Sequence, residues 1–269
     1  MDLWELKKES HLSVSSINDY ISCGLLYKLG RIDKLVPEFK SDALEFGTVI
    51  HLVLAEFYKQ KMVGTVLSIK ELQDLFEKHW RVNAEGREDI QYADGKNFDT
   101  LLLEGKELLT AYYYHNLNDG NYKILAIEEP FSFTVEGCPV PIIGAIDLTE
   151  EDESGTIIIT DFKTTGRAYS IDEVDQNFQL TVYQMATKRN GYPDREIILR
   201  FDCLIKTKTK RFEQYYTTRT ELDEKRAAKK IQEVWKGISS GVFVPNDGSN
   251  NWKCKGCSYK KFCDEWFER

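Results

Sequence analysis

Asp161, Phe162 and Lys163 close the run Thr156-Ile157-Ile158-Ile159-Thr160. Strand side chains alternate faces with period two, so Asp161 and Lys163 point one way and Phe162 the other. A carboxylate and an ammonium at the end of an apolar strand are costly to bury unless paired or bound to metal. They suit phosphodiester chemistry. The carboxylate can hold Mg²⁺ or Mn²⁺, and the ammonium can stabilise developing phosphate charge or orient an attacking water. Alone, so short a motif reads as a strand-end ion pair; the surrounding residues favour the chemistry.

Gly144-Ala145-Ile146-Asp147-Leu148 lies one strand earlier. Alternation puts Ile143, Ala145 and Asp147 on one face, and neighbouring strands would bring Asp147 to Asp161. Two convergent carboxylates call for a cation between them. Glu150, Glu151, Asp152 and Glu153 read as a solvated turn. His51, in Gly47-Thr48-Val49-Ile50-His51, sits at the edge of a helical apolar stripe, one turn beyond Gly47. Glycine costs ~1 kcal/mol inside a helix, and the missing side chain would admit a metal or a phosphate. The plainer alternative is a partly buried histidine bonded to a neighbour. His11, His79 and His115 have no such setting and read as structural. Gln179 and Tyr183 stand at i and i+4 on one helix face, within reach of water or phosphate at the site.

Cys254, Cys257 and Cys263 form a ligand cluster with one Cys-x-x-Cys step. A four-thiolate site needs one more. Cys138 and Cys203 fall inside apolar strands and read as buried thiols. Cys23, on the first helix, is the better candidate, and a site built with it would staple the chain ends together. Four thiolates suit an iron–sulfur cluster or Zn²⁺. Zinc ribbons usually offer two paired knuckles, so this spacing favours [4Fe–4S].

These residues need elements to hold them. Helices are expected over 13–30, with Ser15 or Ser16 as cap, over 42–62, over 69–82 behind the capping box Ser68-Ile69-Lys70-Glu71, and over 97–116. Phe46, Val49, Ile50, Val53, Leu54 and Phe57 form the apolar stripe of the second. Strands are expected over 122–135, 138–148 and 156–163. A helix then covers 172–189, stopped by Asn190-Gly191. A hairpin pairs 196–206 with 211–218, and Thr220 caps a helix to about Ser240. This order suggests an α/β fold, a mixed sheet covered by helices.

At 269 residues, 42% of them apolar and 12% aromatic, the chain can bury a large core. No apolar run approaches the ~18 residues of a membrane span, and the first residues lack a signal-peptide core. A cytoplasmic protein with no membrane contact is expected, where cysteines serve as ligands or buried thiols more than disulfides. The net charge of −8 argues weakly against DNA as partner. Local basicity is present at Lys206, Lys208, Lys210 and Arg211, and at Lys253, Lys255, Lys260 and Lys261.

In order and spacing, Cys23, Gly47-x-x-x-His51, Gly144-Ala-Ile-Asp147, Asp161-Phe-Lys163, Gln179-Leu-Thr-Val-Tyr183, Cys254, Cys257 and Cys263 resemble the RecB-type branch of the PD-(D/E)XK nuclease superfamily. They are most similar to its iron–sulfur members: the AddB nuclease domain, the CRISPR-adaptation nucleases and phage-type exonucleases. The resemblance implies a single domain over 1–269 with a restriction-endonuclease-like mixed central sheet flanked by helices. It adds an iron–sulfur staple joining the N- and C-terminal ends, while the residue pattern itself reads as a helical insertion over about 64–120. It implies that His51, Asp147, Asp161 and the Phe162 carbonyl bind Mg²⁺ or Mn²⁺, and that Lys163 positions or activates the water. Gln179 and Tyr183 would support the site and contact substrate. Glu128 matches a position that is often acidic. Cys23, Cys254, Cys257 and Cys263 would carry [4Fe–4S]. Gly24 stands where the family usually has Pro after the first cysteine, and Asp161 where many members have Glu.

The expected activity is a Mg²⁺- or Mn²⁺-dependent DNA exonuclease acting on single-stranded DNA or frayed duplex ends, in recombination, repair, or CRISPR or phage DNA processing. No Walker A sequence is present, so a helicase motor would be a partner chain, as would a recombination or CRISPR partner protein. The alternatives are a non-catalytic DNA-binding scaffold subunit on the same fold, or a nuclease with zinc at the cysteines.

Overall fold

A computed structural model describes residues 2–117, 122–246 and 252–268. The end of the expected insertion, 118–120, and the Lys253 side chain lie outside the described residues. The elements, in chain order, are α1 (Leu3–Leu6), α2 (Val14–Ser22), α3 (Gly24–Tyr27), a π turn (Lys28–Ile32), β1 (Lys40–Ser41), α4 (Asp42–Met62), α5 (Ile69–Ala84), β2 (Ile90–Gln91) and α6 (Phe98–Asn116). There follow β3 (Lys123–Val135), β4 (Cys138–Glu151), β5 (Ile157–Thr165), α7 (Ile171–Asp175), α8 (Phe178–Arg189), β6 (Ile197–Ile205), β7 (Arg211–Thr217), α9 (Glu221–Ser239), a 3₁₀ turn (Trp252–Gly256) and α10 (Lys260–Phe267).

The β-branched run of β5 sits at the centre of a five-stranded sheet, ordered β3-β4-β5-β6-β7. Three of its pairings are antiparallel, and β5 with β6 is parallel. A parallel pair needs a crossover connection, which α7 and α8 supply. A separate parallel pair, β1 with β2, ties the start of α4 to the chain ahead of α6. The architecture is thus a mixed α/β fold with a mixed central sheet flanked by helices.

Each face of the sheet carries its own apolar cluster. On one face Ile157, Ile159 and Phe201 pack with Ile17 of α2, Leu180 and Val182 of α8, and Ile231 and Val234 of α9. On the other, Leu148, Phe162 and Leu204 meet the α4 stripe Phe46, Val49, Ile50, Val53, Leu54 and Phe57. Phe76 and Trp80 of α5 and Leu108, Leu109 and Tyr112 of α6 complete that second cluster. Period-two alternation along β5 separates the two sets, so Phe162 does enter the layer opposite Ile157 and Ile159.

Three local expectations change. The first helix is capped by Ser13, in a capping box with Ser16, and it breaks at Cys23, whose backbone is extended. The 172–189 helix is interrupted at Gln176 and Asn177, because Asn177 caps a new start by accepting from the Leu180 N–H. Glu150 is not a solvated turn residue. It belongs to β4, is 2% exposed, and accepts from the fully buried Arg200 Nη2 at 2.8 Å. Arg200 Nε also lies 2.9 Å from Asp202 Oδ1, and Asp202 is fully buried.

Breaking a buried ion network by removing one partner leaves uncompensated charge, at a cost of about 3–5 kcal/mol. Arg200→Leu, which strips the cation between Glu150 and Asp202, should lower folding stability by that amount. Urea unfolding measures it, and an unchanged midpoint would show that the network contributes nothing.

Candidate active site

Parallel pairing with β6 holds β5 through Thr165, where Asp161 pairs with Phe201 and Lys163 with Cys203. Asp161 is 1% exposed. Its Oδ2 lies 2.5 Å from Lys163 Nζ, and its Oδ1 accepts from Gln179 Nε2 at 2.8 Å. The same amide nitrogen donates to Tyr183 Oη at 2.8 Å, and Gln179 Oε1 accepts from Lys163 Nζ at 2.8 Å. Gln179 therefore bridges the acid, the lysine and the tyrosine. Burial pushes the Asp161 carboxyl above its ordinary range, and the nearby Asp147 charge adds to this against the opposing pull of Lys163. Burial lowers Lys163, but the Asp161 charge outweighs it and the net shift is upward. The ammonium is thus the favoured form.

Gln179 can do this because α8 starts where it does. Arg219, 8% exposed, donates to the Val174 and Asn177 carbonyls at the α7–α8 break and to Thr181 Oγ1. These bonds brace the break, where the Val174 and Asn177 carbonyls also accept from the Asn177 and Thr181 N–H groups. Nothing in the local sequence marks Arg219 for this task.

Asp147 Oδ2 accepts from the Phe162 N–H at 2.8 Å and lies 3.4 Å from His51 Nδ1. Ligand atoms of His51, Asp147 and Glu128 all fall within 4.8 Å of one another. Glu128 has φ 51, a left-handed backbone uncommon for a non-glycine residue and rarer still inside a strand. Around it the inside–outside alternation inverts. Ile127 packs on the α4 side but Phe131 on the α8 side, and likewise Leu148 on the α4 side but Ile146 on the α8 side. Alternation in β4 therefore breaks between Ile146 and Leu148, the residues that flank Asp147. The cause is this irregularity in β3 and β4.

Burial lowers the His51 pKa, but the bond and charge of Asp147 overcome it, and the imidazole is raised to about 9. Burial, then the Asp147 charge, raise Glu128 to about 7. These are the shifts expected where acids crowd together, and a divalent cation would reverse the shift of Glu128. Two carboxylates and an imidazole form a donor set that suits Mg²⁺ or Mn²⁺.

His51 and Glu128 line a cleft of about 780 Å³ along α4, with Gly47, Thr48, Leu52, Glu56, Lys59 and His79. A Cβ at Gly47 would make only ordinary contact with Thr164 Oγ1 at 3.6 Å, so the fold itself does not demand glycine there. His79 also reaches this cleft, with Nε2 3.5 Å from Glu56 Oε2. Its placement follows from α5 packing across α4, which no short motif announces. The basic turn is largely engaged: Lys210 pairs with Glu104 at 2.7 Å, Arg211 with Glu213 at 3.0 Å, and Lys206 lies over the Phe46 ring.

The other cysteines divide as their settings suggest. Cys138 and Cys203 are buried in the sheet core. Cys23, Cys254, Cys257 and Cys263 line one cavity of about 400 Å³. Cys23 Sγ caps α3 and also accepts from the Asn246 N–H, while Cys254 Sγ donates to the Asn246 carbonyl. Burial raises the Cys257 and Cys263 thiols, and the neighbouring sulfurs push the same way. At Gly24 a Cβ would come 2.7 Å from Val244 N, so only glycine fits beneath the returning chain.

The family model of the PD-(D/E)XK nuclease superfamily matches residues 11–264. The chain belongs to that superfamily. A 68-residue stretch is 38% identical to the gene 69 protein of Mycobacterium phage D29, and that match spans a quarter of either chain. The fold is similar to that of a Eubacterium rectale protein described as a putative exonuclease. That likeness has a TM-score of 0.55 and 13% identity over 94% of this chain and 90% of the other, and speaks to fold alone. PD-(D/E)XK nucleases use divalent metals, and His51, Glu128 and Asp147 form a group able to hold one.

A ligand that binds only the folded state at 100 times its Kd stabilises it by ~2.7 kcal/mol. Saturating Mn²⁺ should therefore raise the melting temperature of this nuclease-family chain, and Asp147→Asn or Glu128→Gln should remove most of the rise. Equal Mn²⁺ responses in wild type and both variants would place the cation elsewhere.

Proposed function

We propose that this chain is a metal-dependent DNA nuclease that degrades single-stranded DNA or frayed duplex ends as an exonuclease. The observation that carries the reading is the convergence of His51, Glu128 and Asp147 beside the Asp161–Lys163–Gln179 knot. Asp161 and the Phe162 carbonyl complete the proposed ligand set. A divalent cation there would act as a Lewis acid on the phosphate and lower the pKa of a water.

The chain's own groups divide the remaining work. Lys163 presents a partly exposed ammonium to orient the attacking water and offset the charge that grows on phosphate. Asp161 and Gln179 hold that ammonium in place, and Tyr183 fixes the Gln179 amide. Leu44 and Leu52, 60% and 42% exposed on the cleft floor, offer apolar contact to bases. Unpaired bases can reach such a surface, whereas duplex bases are stacked away from it. This favours single-stranded substrate.

The cysteine cavity supports a second assignment, [4Fe–4S] on Cys23, Cys254, Cys257 and Cys263, acting as a staple between the first helices and α10. DNA recombination, repair, and CRISPR or phage DNA processing, with a helicase or other partner chain, are settings such an enzyme would fit. Among the described residues, no helix is long and apolar enough to cross a membrane.

Two experiments test these assignments. Wild type with Mn²⁺ should degrade labelled single-stranded DNA, and Lys163→Ala should lose cleavage while keeping its fold. DNA binding without cleavage by either protein would instead mark a scaffold subunit. Anaerobically purified protein should be brown, with broad absorption near ~400 nm. A colourless protein holding one zinc would exclude the cluster.

A further inference from the structure

The sheet stops holding one edge of β5 just where the site begins. Pairing with β4 ends at Leu148–Thr160, short of Phe162, while pairing with β6 continues along the other edge. A strand residue's N–H and carbonyl point to the same edge. The Phe162 N–H donates to Asp147 Oδ2 at 2.8 Å, so its carbonyl, a proposed metal ligand, faces that edge too. The β4 ladder does not reach this peptide unit. Its position has to be set by other contacts.

The Phe162 side chain supplies them. It is 2% exposed, and its ring meets His51 edge-on at 6.1 Å between centroids, Tyr112 edge-on at 6.3 Å and Tyr58 stacked at 5.9 Å. Tyr58 follows His51 by two helical turns, so both project from one face of α4 and both touch Phe162. Tyr112 comes from α6. The two tyrosines are tied together. Tyr112 Oη donates to Tyr58 Oη at 2.6 Å, and Asn116 Nδ2 donates to the two hydroxyls at 3.0 and 3.3 Å. Lys61 Nζ holds the other end of that amide, donating to Asn116 Oδ1 at 3.4 Å. Phenylalanines would fill the same space with no buried hydroxyl to satisfy. The hydroxyl bonds add a fixed tilt to each ring, and so a fixed seat for Phe162.

We infer that Tyr58 and Tyr112 are positioning residues for the metal group, acting through the Phe162 ring. The inference rests on the metal-dependent reading above and names what holds its ligands in place. A displaced Phe162 ring would move the peptide unit that bonds Asp147 and release the edge of the His51 ring, whose Nδ1 lies 3.4 Å from Asp147 Oδ2. Two ligand positions therefore depend on one buried ring. Through Tyr112, α6 supports a metal group to which it contributes no ligand.

The test titrates the full chain with Mn²⁺, without nucleic acid, and follows the free-ion signal by electron paramagnetic resonance. Binding that wild type shows and Asp147→Asn lacks is the reference. Losing the outer support of a metal ligand typically weakens metal binding about 10–100-fold, so Tyr58→Leu and Tyr112→Leu should each weaken the reference binding by about tenfold or more. Tyr58→Phe keeps the stacked ring and should bind nearly as wild type does. Tyr58→Met keeps most of the volume without a ring face, and should show the loss even if Tyr58→Leu fails to fold. Phe76→Leu is the control for general loosening of the same cluster, since its ring neighbours are Phe46 and Trp80. It should lower the melting temperature and leave Mn²⁺ binding unchanged. Wild-type affinity in folded Tyr58→Met and Tyr112→Leu would overturn the inference and leave the metal reading standing. An equal loss in Phe76→Leu would overturn it too, by reducing the tyrosines to ordinary packing. Mn²⁺ binding that persists in Asp147→Asn would overturn the metal reading and this inference with it.

Discussion

A carboxylate with 1% of its surface exposed cannot stay ionised without partners, and the site is organised around how Asp161 acquires them. Lys163 comes from the same strand, two residues on, so backbone alternation alone supplies it. Gln179 comes from α8, which exists only because β5 and β6 run parallel and require a crossover. Sheet topology therefore delivers the amide to the strand end. Asn177 caps the start of α8, and Arg219 braces the break just before it, two residues ahead of Gln179. A shift of the α8 start by one residue would rotate Gln179 by ~100° and leave Asp161 and Lys163 without their bridge.

The second half of the site depends on a departure from regular structure. Regular alternation through β3 and β4 would keep Ile127 and Phe131 on one side of the sheet, yet they pack in opposite clusters. Glu128 sits between them with φ 51. Such a backbone costs about 1–3 kcal/mol, and strain of this kind persists where surrounding structure over-determines it. Here the long β3–β4 pairing continues on either side of Glu128, so the strain is held. The consequence is a carboxylate beside His51 and Asp147, on a segment that would otherwise present its side chains in simple alternation.

Most of the fold was legible in residue pattern. The α4 stripe, the Ser68 capping box, the Thr220 cap and the hairpin each rest on local chemistry, and each matches an observed element. What local pattern missed has a common cause. Glu150 reads as a turn acid because its partner Arg200 lies fifty residues away on another strand. His79 reads as structural because its cleft exists only once α5 has packed across α4. The break at Asn177 is hidden because an asparagine can cap a helix or sit within one, and Arg219 braces the break from across the fold. Glu128 carried no local signal beyond its place in a family resemblance.

The chain ends obey the same reasoning in reverse. Gly24 looks like a loss where a proline is usual, since proline would stiffen the turn after Cys23. The geometry assigns it a different constraint. Backbone at Phe243 and Val244 passes so close that any Cβ, proline's included, would collide with it. Tyr20 donates to the Val242 carbonyl at 2.6 Å, and the Tyr27 ring stacks on Phe243. Close approach thus replaces turn rigidity as the means of holding Cys23 against the returning chain. That approach, with Asn246 bonded to both Cys23 and Cys254, brings the first cysteine to the last three. The four thiols share a cavity because of contacts the polypeptide makes for itself.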